Sequence, residues 1–221
     1  MEKVVISLGG SMINPGTLNV RFLKQLKTVL QKIRNKKILI CCGGGHLARE
    51  YMAAVQSKGE HVEDLIGIEC TQCNALLVAL YLGTAENVPR NLKELRAMLP
   101  KSNLLICGGF PEDEGTTSDG TAAEIAKMIG AKTLINMTNV KGLYTKNPKI
   151  FKDAKFIPKI SHQEFQRMID KHHERPGQHF VLDQHAAKVT REKNIQVIIL
   201  KGTQNLQNAL QHKKFTGTII S

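Results

Sequence analysis

The sequence predicts an α/β protein on a mostly parallel sheet. Three features carry that reading. Several short apolar runs, rich in β-branched residues, each end in glycine; segments with helical spacing lie between them; and 221 residues with 42% hydrophobic and 23% charged content are enough for one sizeable core. A single domain over residues 1–221 is expected.

The elements follow in order. Val4 to Leu8 reads as a buried strand and runs into Gly9, Gly10 and Ser11. Residues Leu18 to Ile33 place Phe22, Leu26, Val29, Leu30 and Ile33 at helical spacing, which makes a crossover helix between parallel neighbours. Lys37 to Cys42 is the second strand. It ends in Gly43-Gly44-Gly45 and a helix with Leu47, Tyr51 and Val55 on one face. His61 to Leu82 is a strongly apolar helix with Asp64 near its start and Asn74 within it, and Leu92 to Met98 is a shorter one. Asn103 to Cys107 is a third strand, followed by the long turn Gly108 to Gly120 and a helix through Thr121 to Ala126. Thr133 to Met137 is a fourth, leading into the polar turn Thr138 to Pro148. Ser161 starts a helix through Phe165, Met168 and Ile169; Asp183 caps another; Ile195 to Leu200 and Thr216 to Ile220 are strands with Leu206 to Leu210 helical between them.

Right-handed crossovers between parallel strands put the glycine turns together at the carboxyl edge of the sheet, where ligands bind in open α/β folds. Glycine lets backbone approach a ligand, and the unpaired N–H groups of a following helix attract anions, phosphate above all. A bare flexible turn would use the same glycines, so the triple glycine alone does not decide. Thr116, Thr117 and Ser118 add hydroxyls and Asp119 a carboxylate at a helix start, although Ser118 or Asp119 would also serve as a simple N-cap. Asp64 likewise reads either as a ligand contact or as a first-turn acid favoured by the helix dipole.

Charge and cysteine content narrow the classes. Thirty-one Lys and Arg against 19 Asp and Glu give +12, which suits nucleic acid, phosphorylated ligands or a solvated basic exterior. The lysines are spread along the chain without interleaved aromatics, so a nucleic-acid reader is the weaker reading. Five cysteines are an odd number, several in apolar strands, and Cys70 and Cys73 fall within a helix with no second pair at zinc spacing; packing is favoured over a disulfide framework or a metal, and no residue is assigned to a metal. No run is expected to approach the length of a membrane span, and the expectation is a cytoplasmic protein.

The glycine-serine turn after strand one, the GGG plus Arg49 after strand two, the GG-x-P…TTSD stretch after a middle strand and TNVKGLYTKNP together resemble the amino acid kinase superfamily, and within it the archaeal-type uridylate (UMP) kinases, over essentially the whole chain. The resemblance implies a three-layer α/β/α sandwich and ATP-dependent phosphoryl transfer to UMP with Mg²⁺. It further implies a homohexamer, with the acceptor on the N-terminal part and ATP on the C-terminal part. Carried over, Gly9, Gly10 and Ser11 lie against the ATP phosphates, and Gly45 and Arg49 near the transferred phosphoryl. Gly44, Asp64, Gly109, Gly115, Thr116, Thr117 and Ser118 hold UMP, and Thr138, Tyr144 and Asn147 hold the nucleoside of ATP. Asp119, Arg49 and Ser11 are the catalytic set, Asp119 organising the reacting groups. Two other readings stand beside this one: a kinase of another small phosphate, carboxylate or carbamate, and a non-catalytic nucleotide-binding regulator or storage protein.

Some positions depart from the family pattern. Ser7 stands where many members carry lysine, His46 where a lysine often follows GGG, and Lys141 and Asn147 where acids are expected. Glu112-Asp113-Glu114 replaces a short Pro-Gly-His-type turn. If they faced the UMP phosphate, two like charges near 4 Å would cost on the order of 1 to 4 kcal/mol. The acids are therefore expected to bulge into solvent and leave Gly115, Thr116 and Thr117 to meet the phosphate; the alternative is a different or cationic acceptor. The paired His172 and His173 read as part of a solvated loop, and Phe180 to Lys188 matches the family's VxDxxAAK stretch, with Lys188 either near the phosphates or on the helix surface.

Overall fold

A computed structural model describes residues 1–113, 116–148, 150–172 and 182–221. The first half contains β1 (Glu2–Leu8), α1 (Gly10–Ile13), α2 (Val20–Gln31), β2 (Lys36–Cys42), α3 (Gly45–Val55), α4 (Glu60–Leu82), α5 (Leu92–Met98) and β3 (Leu104–Cys107). The second half contains α6 (Ser118–Ile129), β4 (Thr133–Met137), β5 (Leu143–Tyr144), β6 (Phe156–Ile157), β7 (Lys159–Ile160), α7 (His162–His172), α8 (Gln184–Glu192), β8 (Gln196–Leu200), α9 (Thr203–Leu210) and β9 (Gly217–Ile220).

The main sheet has the order β3-β2-β1-β4-β8-β9-β7. The strands from β3 to β8 in that order are parallel, β9 runs antiparallel to β8, and β7 pairs parallel with β9. Strands buried on both faces read as continuous apolar runs, and alternation sorts their side chains. Val5, Leu39, Leu105, Leu134, Val197 and Ile199 pack on one side with residues of α5 to α8, including Leu95, Ile125, Phe165 and Ala187. Val4, Ile6, Ile38, Ile40, Ile135 and Ile198 pack on the other with α2, α4 and α9 through Leu23, Leu26, Val78 and Leu206. Helices thus cover both faces, giving the expected three layers.

Most expected elements stand within one or two residues of their predicted ends. Helix α2 buries Phe22, Leu23, Leu26, Val29 and Leu30 and is capped by Asn19, whose Oδ1 accepts from Phe22 N at 3.1 Å. Helix α7 starts with a capping box: Ser161 Oγ accepts from Glu164 N, and Glu164 Oε2 accepts from Ser161 N. Helix α3 differs from expectation. It packs on α4, so its buried residue is Ala48, and Tyr51 is 55% exposed. Strands β5, β6 and β7 were not foreseen.

Helix α4 corrects the membrane reading. With 23 residues and a mean hydropathy of 1.5 over its most apolar stretch, it is long and apolar enough for a span by length and composition. In the fold, Ala75, Val78, Ala79 and Leu82 of this helix lie in the core, against β2 and β3. The paired-histidine stretch from His173 onward, with Phe180 and Val181, lies outside the described residues.

The carboxyl edge is held by contacts only glycine permits. A Cβ on Gly10 would lie 2.1 Å from the Gly45 nitrogen and 2.4 Å from the Gly43 oxygen. Gly45 adopts φ +67°, in the left-handed region. The turns after β1 and β2 therefore meet backbone to backbone. Gly10→Ala is expected to force them apart and to cost on the order of 3 kcal/mol or more, read as a lower denaturant midpoint; an unchanged midpoint would show that the turns are not in contact.

Candidate active site

Four turns converge at the carboxyl edge. Gly43 N donates to Leu8 O at 2.9 Å and Gly9 N to Met137 O at 3.0 Å, tying the ends of β1, β2 and β4 together. A Cβ on Gly43 would lie 3.0 Å from Ser118 Oγ, so the start of α6 reaches the same place. Thr138, at the end of β4, lies beside Gly9 and donates its N–H to Leu200 O at 3.0 Å.

Beside this junction opens a cleft of about 270 Å³. Asp64, Gly109, Thr116, Thr117 and Ser118, all expected acceptor contacts, line it together with Ala48, Met52, Gly67, Ile68, Thr71 and Thr121. Gly44 backs it against Ala48. Gly115 lies outside the described residues. Glu112 is exposed and lines a neighbouring cavity of about 520 Å³ that shares Thr116 and Thr121 with this cleft, while Glu114 lies outside the described residues.

Three polar residues of α4 that sequence reasoning gave no role hold the turns in place. Asn74 Nδ2 donates to Gly43 O at 2.8 Å and to Gly44 O at 3.1 Å. Gln72 Nε2 donates to Gly109 O at 2.6 Å, and Thr71 Oγ1 accepts from Gly109 N at 2.7 Å while donating to Ile68 O. The backbone comes so close that a Cβ on Gly108 would lie 2.6 Å from Gln72 N. The signal for these residues was present: consecutive polar positions in an apolar helix cannot all face water, and those turned inward need partners.

The cap of α6 also differs from expectation. Thr117, not Ser118 or Asp119, is the N-cap: its Oγ1 accepts from Asp119 N at 3.2 Å and Gly120 N at 3.3 Å, and donates to Asp183 Oδ2. Asp183 in turn caps α8 through Ala186 N at 2.8 Å, as expected. The Asp119 side chain is thereby left for the interior. Ser7 Oγ donates to its Oδ1 at 2.5 Å and Asn136 Nδ2 to its Oδ2 at 3.1 Å. Burial pushes the Asp119 carboxyl up to about 6, against the two hydrogen bonds and with the help of the Asp183 charge.

The remaining expected residues lie on separate elements. Ser11 lies in α1, directly after the Gly9-Gly10 turn. Arg49 is on the exposed side of α3, one turn beyond Gly45, and forms no ion pair with the described residues, whereas His46 Nδ1 lies 3.1 Å from Glu50 Oε2. Tyr144 is on β5, its ring 5.4 Å from Phe156 in an edge-on contact. Asn147 follows, its carbonyl accepting from Ile150 N and Phe151 N. This small antiparallel pair is anchored to β9 through Leu143 N and Thr218 Oγ1 at 2.8 Å. Lys188 is exposed on α8. All five cysteines are free, and among the described residues no three His, Cys, Asp or Glu side chains are grouped to hold a metal.

Comparison with known proteins agrees with this geometry. Residues 2–201 match the model of the amino acid kinase family. The chain is 33% identical to the uridylate kinase of Archaeoglobus fulgidus over 99% of its own length and 100% of that protein's, and 32% identical to the uridylate kinase of Hyperthermus butylicus over 90% and 89%. Its fold is similar to the crystal structure of the A. fulgidus uridylate kinase with a TM-score of 0.87 and 29% identity over the full length of both chains. Sequence, sheet order and the clustering of glycine turns at one edge lead to the same place: this chain belongs to the amino acid kinase family.

Proposed function

We propose that this chain is an ATP-dependent uridylate kinase, converting UMP and ATP to UDP and ADP. The observation that carries the reading is the cleft in which Asp64, Gly109, Thr116, Thr117 and Ser118 converge next to the Gly9–Ser11 and Gly43–Gly45 turns, in a chain whose full-length relatives are uridylate kinases. A phosphate oxygen of UMP forms the new bond to the γ-phosphorus of ATP while the bond from that phosphorus to the β–γ bridging oxygen breaks. ADP leaves with the electron pair. Such a transfer needs positioning and charge neutralisation rather than a covalent nucleophile.

In this assignment the cleft holds UMP, and the turns bearing Gly9, Gly10, Ser11 and Gly45 hold the ATP phosphates through backbone N–H groups. Thr138, Tyr144 and Asn147 hold the ATP nucleoside. Arg49, unpaired among the described residues, brings its cation to the transferred group, and Ser11 adds a hydroxyl. Asp119, at the meeting point of α6, β1 and β4, organises the reacting groups. Mg²⁺ accompanying ATP would neutralise part of the phosphate charge during transfer. The chain works as a single domain, acceptor on its N-terminal part and ATP on its C-terminal part, in the cytoplasm.

It also acts as a homo-oligomer, a hexamer by family likeness. What supports association is an apolar stripe on α4: Leu65, Leu76 and Leu80 are 46%, 37% and 53% exposed, and Cys73 is exposed between them. Leu76→Glu with Leu80→Glu is expected to lower the mass in sedimentation equilibrium; an unchanged mass would place any subunit contact elsewhere.

A coupled ADP-release assay with UMP, CMP, carbamate and small carboxylates tests the activity. Turnover with UMP is expected. Preference for another acceptor would establish a different kinase of the family, and ATP binding without turnover a regulator or storage protein.

The elevated Asp119 carboxyl makes a second, separable prediction. Its native value of about 6 exceeds the ordinary 3.8. Between those values the folded state therefore holds the proton more tightly than the unfolded one, and stability falls as pH rises through the window. A shift of about two units is worth on the order of 3 kcal/mol at most. Asp119→Asn is expected to flatten this decline and to be no less stable at pH 7, while kcat falls at least ~100-fold. Thermal unfolding from pH 4 to 7 beside kinetics checks both, and retained turnover would remove Asp119 from the catalytic set.

A further inference from the structure

Ser7 and Asn136 are direct partners in the parallel β1–β4 ladder, and both side chains point to the α6 side of the sheet. They are 0% and 3% exposed. A hydroxyl and an amide at the centre of an apolar sheet cost free energy unless hydrogen-bonded, and both donate to one target, Asp119, one to each carboxylate oxygen. Along the same row of the sheet the neighbours are Cys41 and Cys107 on one side and Ile199 on the other. The donors thus occupy the two strands beneath the carboxylate. Two donors on two oxygens fix both the position and the plane of the group.

The charged groups around Asp119 do not supply a cation among the described residues. Asp183, ahead of α8, adds a negative charge and is itself engaged by Thr117 and Ala186 N. His185 on α8 is turned to Glu124 of α6 at 3.1 Å, and Lys188 on α8 is exposed. Cys41 of β2 directs its thiol to the carbonyls of Gly108 and Ser118.

Resting on the kinase reading, we infer that Ser7 is a positioning residue for phosphoryl transfer: together with Asn136 it holds the Asp119 carboxylate in its working orientation by neutral hydrogen bonds. Neutral donors orient a carboxylate without cancelling its charge. Burial therefore dominates and pushes the carboxyl up to about 6. Loss of the Ser7 hydroxyl removes a bond that favours the ionised form and frees the carboxylate to turn.

The test uses the full chain as wild type, Ser7→Ala and Ser7→Thr, with ¹³C-labelled aspartate and the Asp119 signal assigned by its loss in Asp119→Asn. Carboxyl titration is read beside kcat and KM against pH. In Ser7→Ala the Asp119 midpoint is expected to rise, the acidic limb of kcat to move up with it, and kcat at pH 7 to fall on the order of 10-fold or more with KM within about 2-fold. Ser7→Thr, which keeps the hydroxyl, is expected to restore both. If the alanine variant is too unstable to titrate, Ser7→Cys fills the site with a weaker donor and is expected to shift in the same direction. An unmoved midpoint in a folded variant, a moved midpoint with unchanged kcat, or a rise in KM at constant kcat would overturn the inference. Should the wild type turn over none of the acceptors, the kinase reading fails by itself. The midpoint then still decides whether Ser7 governs Asp119.

Discussion

The constraint on which the rest of the structure depends is the meeting of bare backbone at one edge of the sheet. Gly10 and Gly45 touch so closely that no side chain fits between them, and Gly108 too leaves no room for a Cβ against Gln72 of α4. Parallel strands bring their carboxyl ends to a common edge, but they do not by themselves bring the following turns into contact. Absence of a Cβ does that. It also leaves each turn without side-chain packing of its own, so something else must fix its path. Helix α4 does so, with Thr71 and Gln72 on Gly109 and Asn74 on Gly43 and Gly44.

This division of labour explains how an apolar helix serves a polar site. One face of α4 lies in the core, while Asp64, Gly67, Ile68 and Thr71 line the cleft. A helix that touches the core, two glycine turns and the cleft at once couples the geometry of the cleft to the fold, and the proposed phosphoryl transfer asks for that precision.

How much of this was legible follows from how each signal is written. Buried parallel strands write themselves as unbroken apolar runs, so β1 to β4 and β8 could be read, the first three with the glycine turns that follow them. Two-residue strands have no period, and β5, β6 and β7 left no trace. The face of α3 was misread because Leu47, Tyr51 and Val55 have the spacing of a core-facing stripe, yet the helix packs on α4, where small Ala48 allows close approach beside Gly44. The Thr116-Thr117-Ser118-Asp119 run offers several successive capping residues, and propensity alone does not choose among them. Once Thr117 takes the cap, Asp119 turns inward and Ser118 faces the cleft.

The inward turn of Asp119 also gives meaning to two residues that departed from simple patterning. Serine in the run Val4-Val5-Ile6-Ser7-Leu8 and asparagine in Thr133-Leu134-Ile135-Asn136-Met137 are each poor choices for a strand buried on both faces, because each places a polar group where water does not reach. Taken singly they look like defects. Their register as partners across β1 and β4, beneath a single carboxylate, resolves both at once. A lysine at position 7 would neutralise that carboxylate and hold it ionised across a wide range of pH. Serine holds it without neutralising it, so the sheet that brings the glycine turns together leaves this buried carboxyl raised to about 6.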